Sequence, residues 1–252
     1  MGSLIAAEVL KLRRRRGLVF TSLCLVLGVT LLVFVVRIVL HASSPQTNDP
    51  AGGVGGYRAM LIPVVLLGAL VATGVGATAG CGDHTARVFR DLVATGRSRM
   101  ALYAARLPGA LAVTFALVAP AWLAAVIVSQ TLAAGVHTPG AGRIGADAVW
   151  VALGLLVQCS LACGIAALAG SRGWVIGGLI ILILVIEPIL SAVHFLGEVR
   201  LALPGVAIDQ FANGPLQHYD VSGSRASAVL VIAGWVAASF AIGAWRTLRR
   251  DA

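Results

Sequence analysis

The ionisable side chains of this sequence are concentrated in short segments, and the densest of these runs from Cys81 to Arg106. It contains five arginines and two aspartates, and it separates two long apolar runs. Within it, residues 84–95 have helical spacing, with apolar side chains on one side and charged side chains on another. This pattern predicts a short amphipathic helix that docks onto a soluble partner. The alternative is a solvated loop held by contacts with lipid headgroups.

A break in the helical pattern follows this amphipathic segment. Gly96 interrupts the pattern, and Ser98 can cap a new helix that continues through Arg99 into the next apolar run. A charged helix, a glycine hinge and a span, in this order, suit the transmission of movement between a soluble protein and the membrane. We therefore define residues 84–99 as the predicted coupling region. Its candidate contact residues are His84, Arg87, Val88, Phe89, Arg90, Asp91, Leu92, Gly96, Arg97 and Arg99.

A second candidate site centres on Glu187, an acidic residue inside an apolar run and directly before Pro188. A carboxylate at depth in a bilayer costs about 2.5–3.5 kcal/mol on insertion scales, so it should face protein or a cavity. Pro188 removes a backbone hydrogen bond and favours a kink. We predict that Glu187, Pro188 and Arg37 belong to a substrate pathway or an outer gate. Alternatively, Glu187 pairs with Arg37 or His194, or Arg37 extends its charge to the membrane surface.

The two candidate sites lie in or beside long apolar runs, which must form the elements that position them. The chain has 252 residues, of which 59% are hydrophobic and 12% charged, whereas a soluble globular protein has about 25% charged residues. Runs of about 20 apolar residues match the thickness of a bilayer, and continuous runs argue against a β-barrel. The sequence predicts an all-α, polytopic membrane protein with a single transmembrane domain. Its six predicted transmembrane helices are residues 17–40, 59–80, 107–133, 147–170, 174–195 and 226–245.

The net charge of +9 comes mainly from arginines that flank the apolar runs. Residues 13–16, the coupling region, Arg172 and the arginines after the last run fall on one side if there are six crossings. The positive-inside rule makes that side cytoplasmic, so both termini are predicted there. This bias explains the charge without a nucleic-acid partner. The arginine-rich, lysine-poor composition favours a bacterial plasma (inner) membrane as the location of this multi-pass protein.

Three further patterns concern the arrangement of the helices. Residues 1–16 have an apolar side and a basic side, which predicts an amphipathic interfacial helix on membrane lipid; a simple topology anchor is the alternative. Residues 196–225 are half apolar and broken by prolines and glycines, so they predict either a pair of short helices dipping into the outer leaflet or a surface loop. Gly76 and Gly80 have the GxxxG spacing of close helix contacts, within one chain or with a second copy.

The motifs of nucleotide binding and enzyme chemistry are missing. Lys11 is the only lysine, and no glycines precede it at the spacing of the phosphate-binding loop G-x-x-x-x-G-K-[ST]. Any ATP that drives this protein, with its Mg²⁺, must therefore be bound by another polypeptide. The sequence also lacks H-E-x-x-H and G-x-S-x-G. No catalytic residue, metal ligand or cofactor of its own is expected, and the chain is not predicted to be an enzyme.

Two segments resemble the type-2 ABC export permeases, the ABC-2 type transmembrane subunits. The pattern AAEVLKLRRRRGLVF resembles the N-terminal helix of that family, and GDHTARVFRDLVATGRSRMALYAARL resembles its first cytoplasmic loop. The resemblance implies six spans, cytoplasmic termini, a coupling helix and a short helical hairpin before the last span, which suits residues 196–225. It also implies a dimer of permeases on two ATP-binding subunits. The early glutamate of the family's loop is replaced here by Asp83.

These observations predict a permease subunit of an ATP-driven exporter that moves drugs, antibiotics, lipids or peptides out of the cell. Its predicted partners are a separate ABC ATP-binding subunit, a second permease copy or a related permease, and membrane lipid. The small number of charges argues against inorganic ions as substrates. Two alternatives stay open: an ATP-independent secondary carrier, which predicts several intramembrane charges, and a non-transporting membrane scaffold or immunity protein.

Overall fold

The computed structural model describes residues 1–85, 96, 98–212, 219 and 223–249, without the side chains of residues 83–85 and 194. Throughout this part of the chain the regular elements are helices, as the all-α prediction requires. Among the described residues, six helices are long and apolar enough to cross a membrane, which agrees with the predicted number of spans. With an even number of crossings, both termini lie on one side of the bundle. We call this the terminal side and the opposite side the hairpin side.

The helices are numbered in chain order as α1 (Gly2–Arg13), α2 (Arg16–Ser43), α3 (Gly53–Thr85), α4 (Arg99–Thr131), α5 (Ala141–Ala169), α6 (Arg172–Ala192), α7 (Pro204–Asp209) and α8 (Arg225–Arg249). A 3₁₀ helix, His194–Ala202, connects α6 to α7. The six candidate spans are α2 to α6 and α8, so α1 precedes the spans and α7 is a short helix before the last one.

The helices extend beyond the apolar runs that predict them, and α5 shows why. It begins at Ala141 rather than at residue 147. Arg143 and Asp147 lie one turn apart on it, with 3.7 Å between Nε and Oδ2, and Asp147 is fully buried. Opposite charges four residues apart support a helix, so the helix continues through polar residues that end the apolar run.

The centre of the bundle is formed by α3 and α5. In their most apolar stretches 50% and 67% of the residues are buried within the chain, against 11% in α2. Their contact depends on two glycines. A Cβ at Gly76 would lie 2.5 Å from the carbonyl oxygen of Cys159, and a Cβ at Gly80 would overlap the carbonyl oxygen of Cys163. The GxxxG pair therefore packs within one chain, and both cysteines are buried free thiols at this contact.

On the terminal side, α1 packs against α4. Leu12 of α1 is fully buried, and a Cβ at Gly109 of α4 would lie 2.7 Å from the Cβ of Glu8. The apolar run places Arg106 in the preceding loop, and the structure corrects this placement. Arg106 lies inside α4 and is fully buried. Its Nη1 donates a hydrogen bond to the carbonyl oxygen of Gly80 at 3.0 Å, which offsets part of the cost of burying the charge.

Near Pro188, α6 is distorted. A π-helical turn spans Leu182–Ile186, and Pro188 lies at the start of the regular turn that follows. Proline has no N–H, and its ring clashes with the carbonyl group four residues earlier in a regular helix. A widened turn relieves this clash. The distortion expected at Pro188 takes this form.

Two short helices after α6 form the start of the predicted hairpin. The 3₁₀ helix changes direction at Gly197, where a φ of +53° favours glycine. Val206 in α7 is fully buried. In addition, Trp235 of α8 donates from Nε1 to the carbonyl oxygen of Ala202 at 2.8 Å. Residues 204–212 are therefore packed into the bundle, whereas much of the 3₁₀ helix before them is exposed, with Phe195 at 87% and Val199 at 69%.

Candidate functional site

A cavity of about 510 Å³ lies between four elements at the hairpin side of the bundle. Its wall is mostly apolar, with contributions from α3, α5, α6 and α7. The lining residues are Ile62, Val65, Leu66, Ala69, Trp150, Gly154, Val157, Gln158, Leu161, Leu182, Ile183, Leu184, Glu187, Pro188, Pro204, Gly205, Ile208, Asp209 and Tyr219. Two residues of the predicted pathway, Glu187 and Pro188, therefore share one cavity wall.

Glu187 is held by the backbone of α7. Its side chain belongs to a residue that is only 6% exposed, and its Oε1 accepts a hydrogen bond from the Gly205 N–H at 3.0 Å. Gly205 has no side chain at this point, and a Cβ there would lie 2.5 Å from Oε2 of Glu187. Only glycine lets the carboxylate approach the backbone so closely. Among the described residues, no cation forms an ion pair with Glu187.

Asp209 and Tyr219 add a second acidic group and a phenol to the same cavity. Asp209 is 4% exposed, and its Oδ2 accepts a hydrogen bond from the backbone N–H of Tyr219 at 3.0 Å. Burial, followed by the charges of Glu187 and Asp209, raises the pKa of Tyr219 to about 12. The phenol therefore stays protonated at neutral pH and can donate a hydrogen bond.

Gln158 contributes a polar group from the middle of α5. Its Nε2 donates to Oγ1 of Thr73 on α3 at 2.9 Å, so the amide is held in place by the helix that it faces. Burial of such an amide is tolerated because its donor is paired. The cavity thus combines long apolar walls with a few oriented polar groups, which is the usual make-up of a small-molecule site.

Arg37, the third residue of the predicted pathway, does not line this cavity. It is half-buried in α2, and its Nη2 donates to the carbonyl oxygen of Pro50 at 3.4 Å. The alternative in which Arg37 pairs with Glu187 is not what the structure shows. The other proposed partner, the side chain of His194, lies outside the described residues. A pathway role for Arg37 stays a prediction.

Most of the predicted coupling region lies outside the described residues. This applies to Arg87, Val88, Phe89, Arg90, Asp91, Leu92 and Arg97, and to the side chain of His84, whose backbone belongs to the last turn of α3. Gly96 is exposed and has a φ of +81°, which favours glycine. Ser98 accepts a hydrogen bond from the Ala101 N–H at 3.2 Å. The predicted helix start is thus confirmed, with Arg99 as the first residue of α4.

Asp209 and Tyr219 are functional candidates that the sequence alone did not single out. Both lie in the stretch of residues 196–225 that also reads as a surface loop. The sequence feature that could have indicated them is the apolar character of neighbours such as Ile208 and Phe211, because apolar neighbours indicate a buried segment. Within the described part of the chain, no group of three or more His, Cys, Asp or Glu side chains could hold a metal ion.

The comparisons with known proteins concern the region from α1 to α6. No curated protein matches the chain. A family model described as "ABC-2 family transporter protein" matches residues 4–188, which include α1, the central contact of α3 with α5, and Glu187 and Pro188. The match covers well over half of the chain, and the six apolar helices agree with a multi-pass membrane protein. The chain belongs to the ABC-2 family of transporter proteins.

Proposed function

We propose that this chain is the transmembrane permease subunit of an ATP-driven exporter of hydrophobic or amphipathic substrates. The observation that carries the proposal is the largely apolar cavity of about 510 Å³ in a chain of the ABC-2 family. Its wall matches the apolar part of such a substrate, and its polar groups match a polar end. Drugs, antibiotics, lipids and peptides all include molecules of this kind.

A separate ATP-binding subunit supplies the energy in this proposal. Lys11 is the only lysine of the chain, and its sequence context is not a phosphate-binding loop. Structurally it lies in α1, where its Nζ is 2.6 Å from Oε2 of Glu8, so it is occupied by an ion pair within one helix. ATP and Mg²⁺ are therefore assigned to the partner, and hydrolysis is not assigned to this chain.

The coupling region of residues 84–99 transmits the ATP-driven movement. It connects α3 to α4, and α3 forms one wall of the cavity. A push on the end of α3 or on the start of α4 can therefore change the cavity through one rigid helix. In this proposal the terminal side is the cytoplasmic side of a bacterial plasma membrane. A second permease, identical or related, completes the pathway.

Co-purification with a candidate ABC ATP-binding subunit from the same organism, followed by ATPase and export assays in lipid vesicles, tests the proposal. We expect a stable complex and ATP-dependent export. Reversal of three charges, Arg87→Glu, Arg90→Glu and Asp91→Lys, should reduce assembly or uncouple ATP hydrolysis from export. Arg172→Glu is the matched control, because Arg172 is an exposed arginine on the same side.

Two outcomes would contradict the proposal. Export that continues without any ATP-binding subunit would identify a secondary carrier. A chain that binds no such subunit and moves no substrate would be a membrane scaffold or immunity protein. If the triple charge reversal behaves like Arg172→Glu, residues 84–99 are not the coupling region.

A further inference from the structure

We propose that the cavity at the hairpin side selects amphipathic organic cations, with Glu187 as the counter-charge. This inference rests on the proposed function, because it names the substrate class of the proposed exporter. The site is the cavity between α3, α5, α6 and α7, and its volume of about 510 Å³ lies in the range of about 300–1,000 Å³ that is typical of small-molecule pockets.

The first reason is the charge balance of the wall. Among the described residues, the ionisable ones that line the cavity are Glu187, Asp209 and Tyr219, and this described lining includes no lysine, arginine or histidine. Glu187 is 6% exposed, and within the described part of the chain its one hydrogen bond is accepted by Oε1 from the Gly205 N–H at 3.0 Å. A buried carboxylate without a counter-charge is unfavourable. A cation that enters the cavity supplies this charge.

The second reason is that the cation must be organic. Hard metal ions such as Ca²⁺ need about six to eight oxygen ligands, and the described residues offer no cluster of three or more acidic, histidine or cysteine side chains. Most of the wall is instead aliphatic or aromatic, including Trp150 and Leu66. Aromatic rings attract organic cations, and apolar walls favour their hydrocarbon part.

The third reason is that the carboxylate is held in position. α7 starts at Pro204, and the following Gly205 is the residue whose N–H reaches Glu187. A side chain at Gly205 would collide with Oε2, since its Cβ would lie 2.5 Å from that atom. Gly205 is therefore a positioning residue for Glu187. Gly205 affects a bound ligand only through the position of the Glu187 carboxylate.

Two ions of similar shape and opposite charge test the proposal directly. The purified full-length chain is placed in nanodiscs of phosphatidylcholine, whose headgroups carry no net charge, and empty nanodiscs give the binding of each ion to the lipid. Binding of tetraphenylphosphonium and tetraphenylborate is measured by equilibrium dialysis. We expect the cation to bind at least about tenfold more tightly than the anion. Glu187→Gln should remove most of this preference, and Glu187→Asp should retain it, because one change removes the charge and the other keeps it.

The matched control is Glu198→Gln, since Glu198 is an exposed acid on the neighbouring 3₁₀ helix and does not line the cavity. This control separates a local effect from the change in net charge. Equal binding of both ions to the unmodified chain would overturn the proposal, and so would unchanged cation binding in Glu187→Gln. Binding that Glu198→Gln weakens equally would place the cation on the surface instead.

A cavity-filling variant keeps the test valid if Glu187→Gln does not fold. Gly154 lines the cavity, and a Cβ there meets no atom within 4 Å. Gly154→Leu should therefore fold and should weaken cation binding at least about fivefold. Gly177→Leu is its control, because Gly177 has equally open surroundings but lies outside the cavity. Equal binding in both leucine variants would contradict a site in this cavity.

Failure of this inference and failure of the proposed function give different results. The binding assay uses the chain alone, so it does not depend on an ATP-binding subunit. If cation preference is absent but ATP-dependent export is seen, only the substrate class is wrong. If the cation binds at Glu187 but no ATP-binding subunit associates, the cation site is supported and the proposed ATP-driven exporter is wrong.

Discussion

Both ends of the bundle bury charged side chains, but they surround them differently. On the terminal side, the Nζ of the partly exposed Lys11 lies 2.6 Å from Oε2 of Glu8, and the fully buried Arg106 donates to the carbonyl oxygen of Gly80. On the hairpin side, Glu187 is almost as buried as Arg106. The described residues give it one hydrogen bond and no ion pair. An unpaired buried charge is costly. The hairpin side also has a paired acid, Asp147 with Arg143 at 3.7 Å, but only there does a buried acidic group, Glu187, lie beside a cavity without an ion pair among the described residues.

This difference extends to packing. The terminal halves of α3 and α5 meet through Gly80, with the backbone of Cys163 directly against it. In the hairpin halves the same two helices still share buried residues such as Val64 and Leu155, but they also contribute Leu66 and Trp150 to the wall of the cavity. The same pair of helices is therefore close-packed at one end and lines a cavity at the other. Substitutions at the two ends should have different effects on stability and on ligand binding.

The largest effect is expected at the close-packed contact. Gly80→Leu should destabilise the protein by about 3 kcal/mol, because a larger side chain has no space against α5 and overpacking typically costs about 1–3 kcal/mol. Thermal unfolding in detergent micelles measures this. Gly154→Leu, on the open part of α5, is the comparison variant and should unfold close to the unmodified temperature. If the two leucine variants are equally stable, the contrast in packing is wrong.

A smaller loss is expected when the buried arginine is shortened. Arg106→Gln should cost about 2 kcal/mol, since hydrogen bonds from charged groups contribute about 1.5–3 kcal/mol and the carbonyl oxygen of Gly80 would lose its donor. The same unfolding assay applies, with the exposed Arg172→Gln as control. An Arg106→Gln protein as stable as this control would show that the charges of the terminal side are not needed for folding.

The anchor of the hairpin should be weaker still. Trp235→Phe removes the hydrogen bond to the carbonyl oxygen of Ala202 and keeps most of the apolar surface, so a loss of about 1 kcal/mol is expected. Hydrogen exchange of residues 194–209 should rise in this variant. Trp174→Phe, at an exposed tryptophan on the opposite side, should leave this exchange unchanged. Identical exchange in both variants would mean that the bond does not hold the hairpin.

The smallest effect on stability is expected for Glu187→Gln. Glutamine retains an oxygen that accepts from the Gly205 N–H, no described cation loses its partner, and an unpaired buried charge is removed, so the free energy of unfolding should fall by less than about 0.5 kcal/mol or rise. A loss as large as that of Arg106→Gln, again measured by thermal unfolding, would show that Glu187 belongs to a structural network like that of the terminal side. It would also remove the contrast between the two ends.

Much of the fold was predictable because it depends on local properties. Continuous apolar runs predict six spans, Ser98 predicts the start of α4, and Pro188 predicts a distorted α6. Each of these follows from a few neighbouring residues. The helix ends were less predictable, since charged residues such as Arg143 and Asp147 extend a helix by pairing with each other.

The candidate site was predictable only in part. The cost of a carboxylate at depth indicates Glu187 without any structure. The placement of Arg106 inside the bundle was not expected, because an arginine beside an apolar run is usually a flanking charge. No sequence pattern predicted that Gly205, Asp209 and Tyr219 lie close to Glu187.

The sequence by itself determined the helical architecture, the number of spans, the resemblance to ABC-2 permeases and the presence of one acidic residue within α6. The tertiary structure decided which charges are paired and which face a cavity. The physical reason is that hydropathy and helix signals add up along neighbouring residues, whereas pairing depends on groups far apart in the chain. Gly80 meets Arg106, and Gly205 meets Glu187, only after the helices have packed.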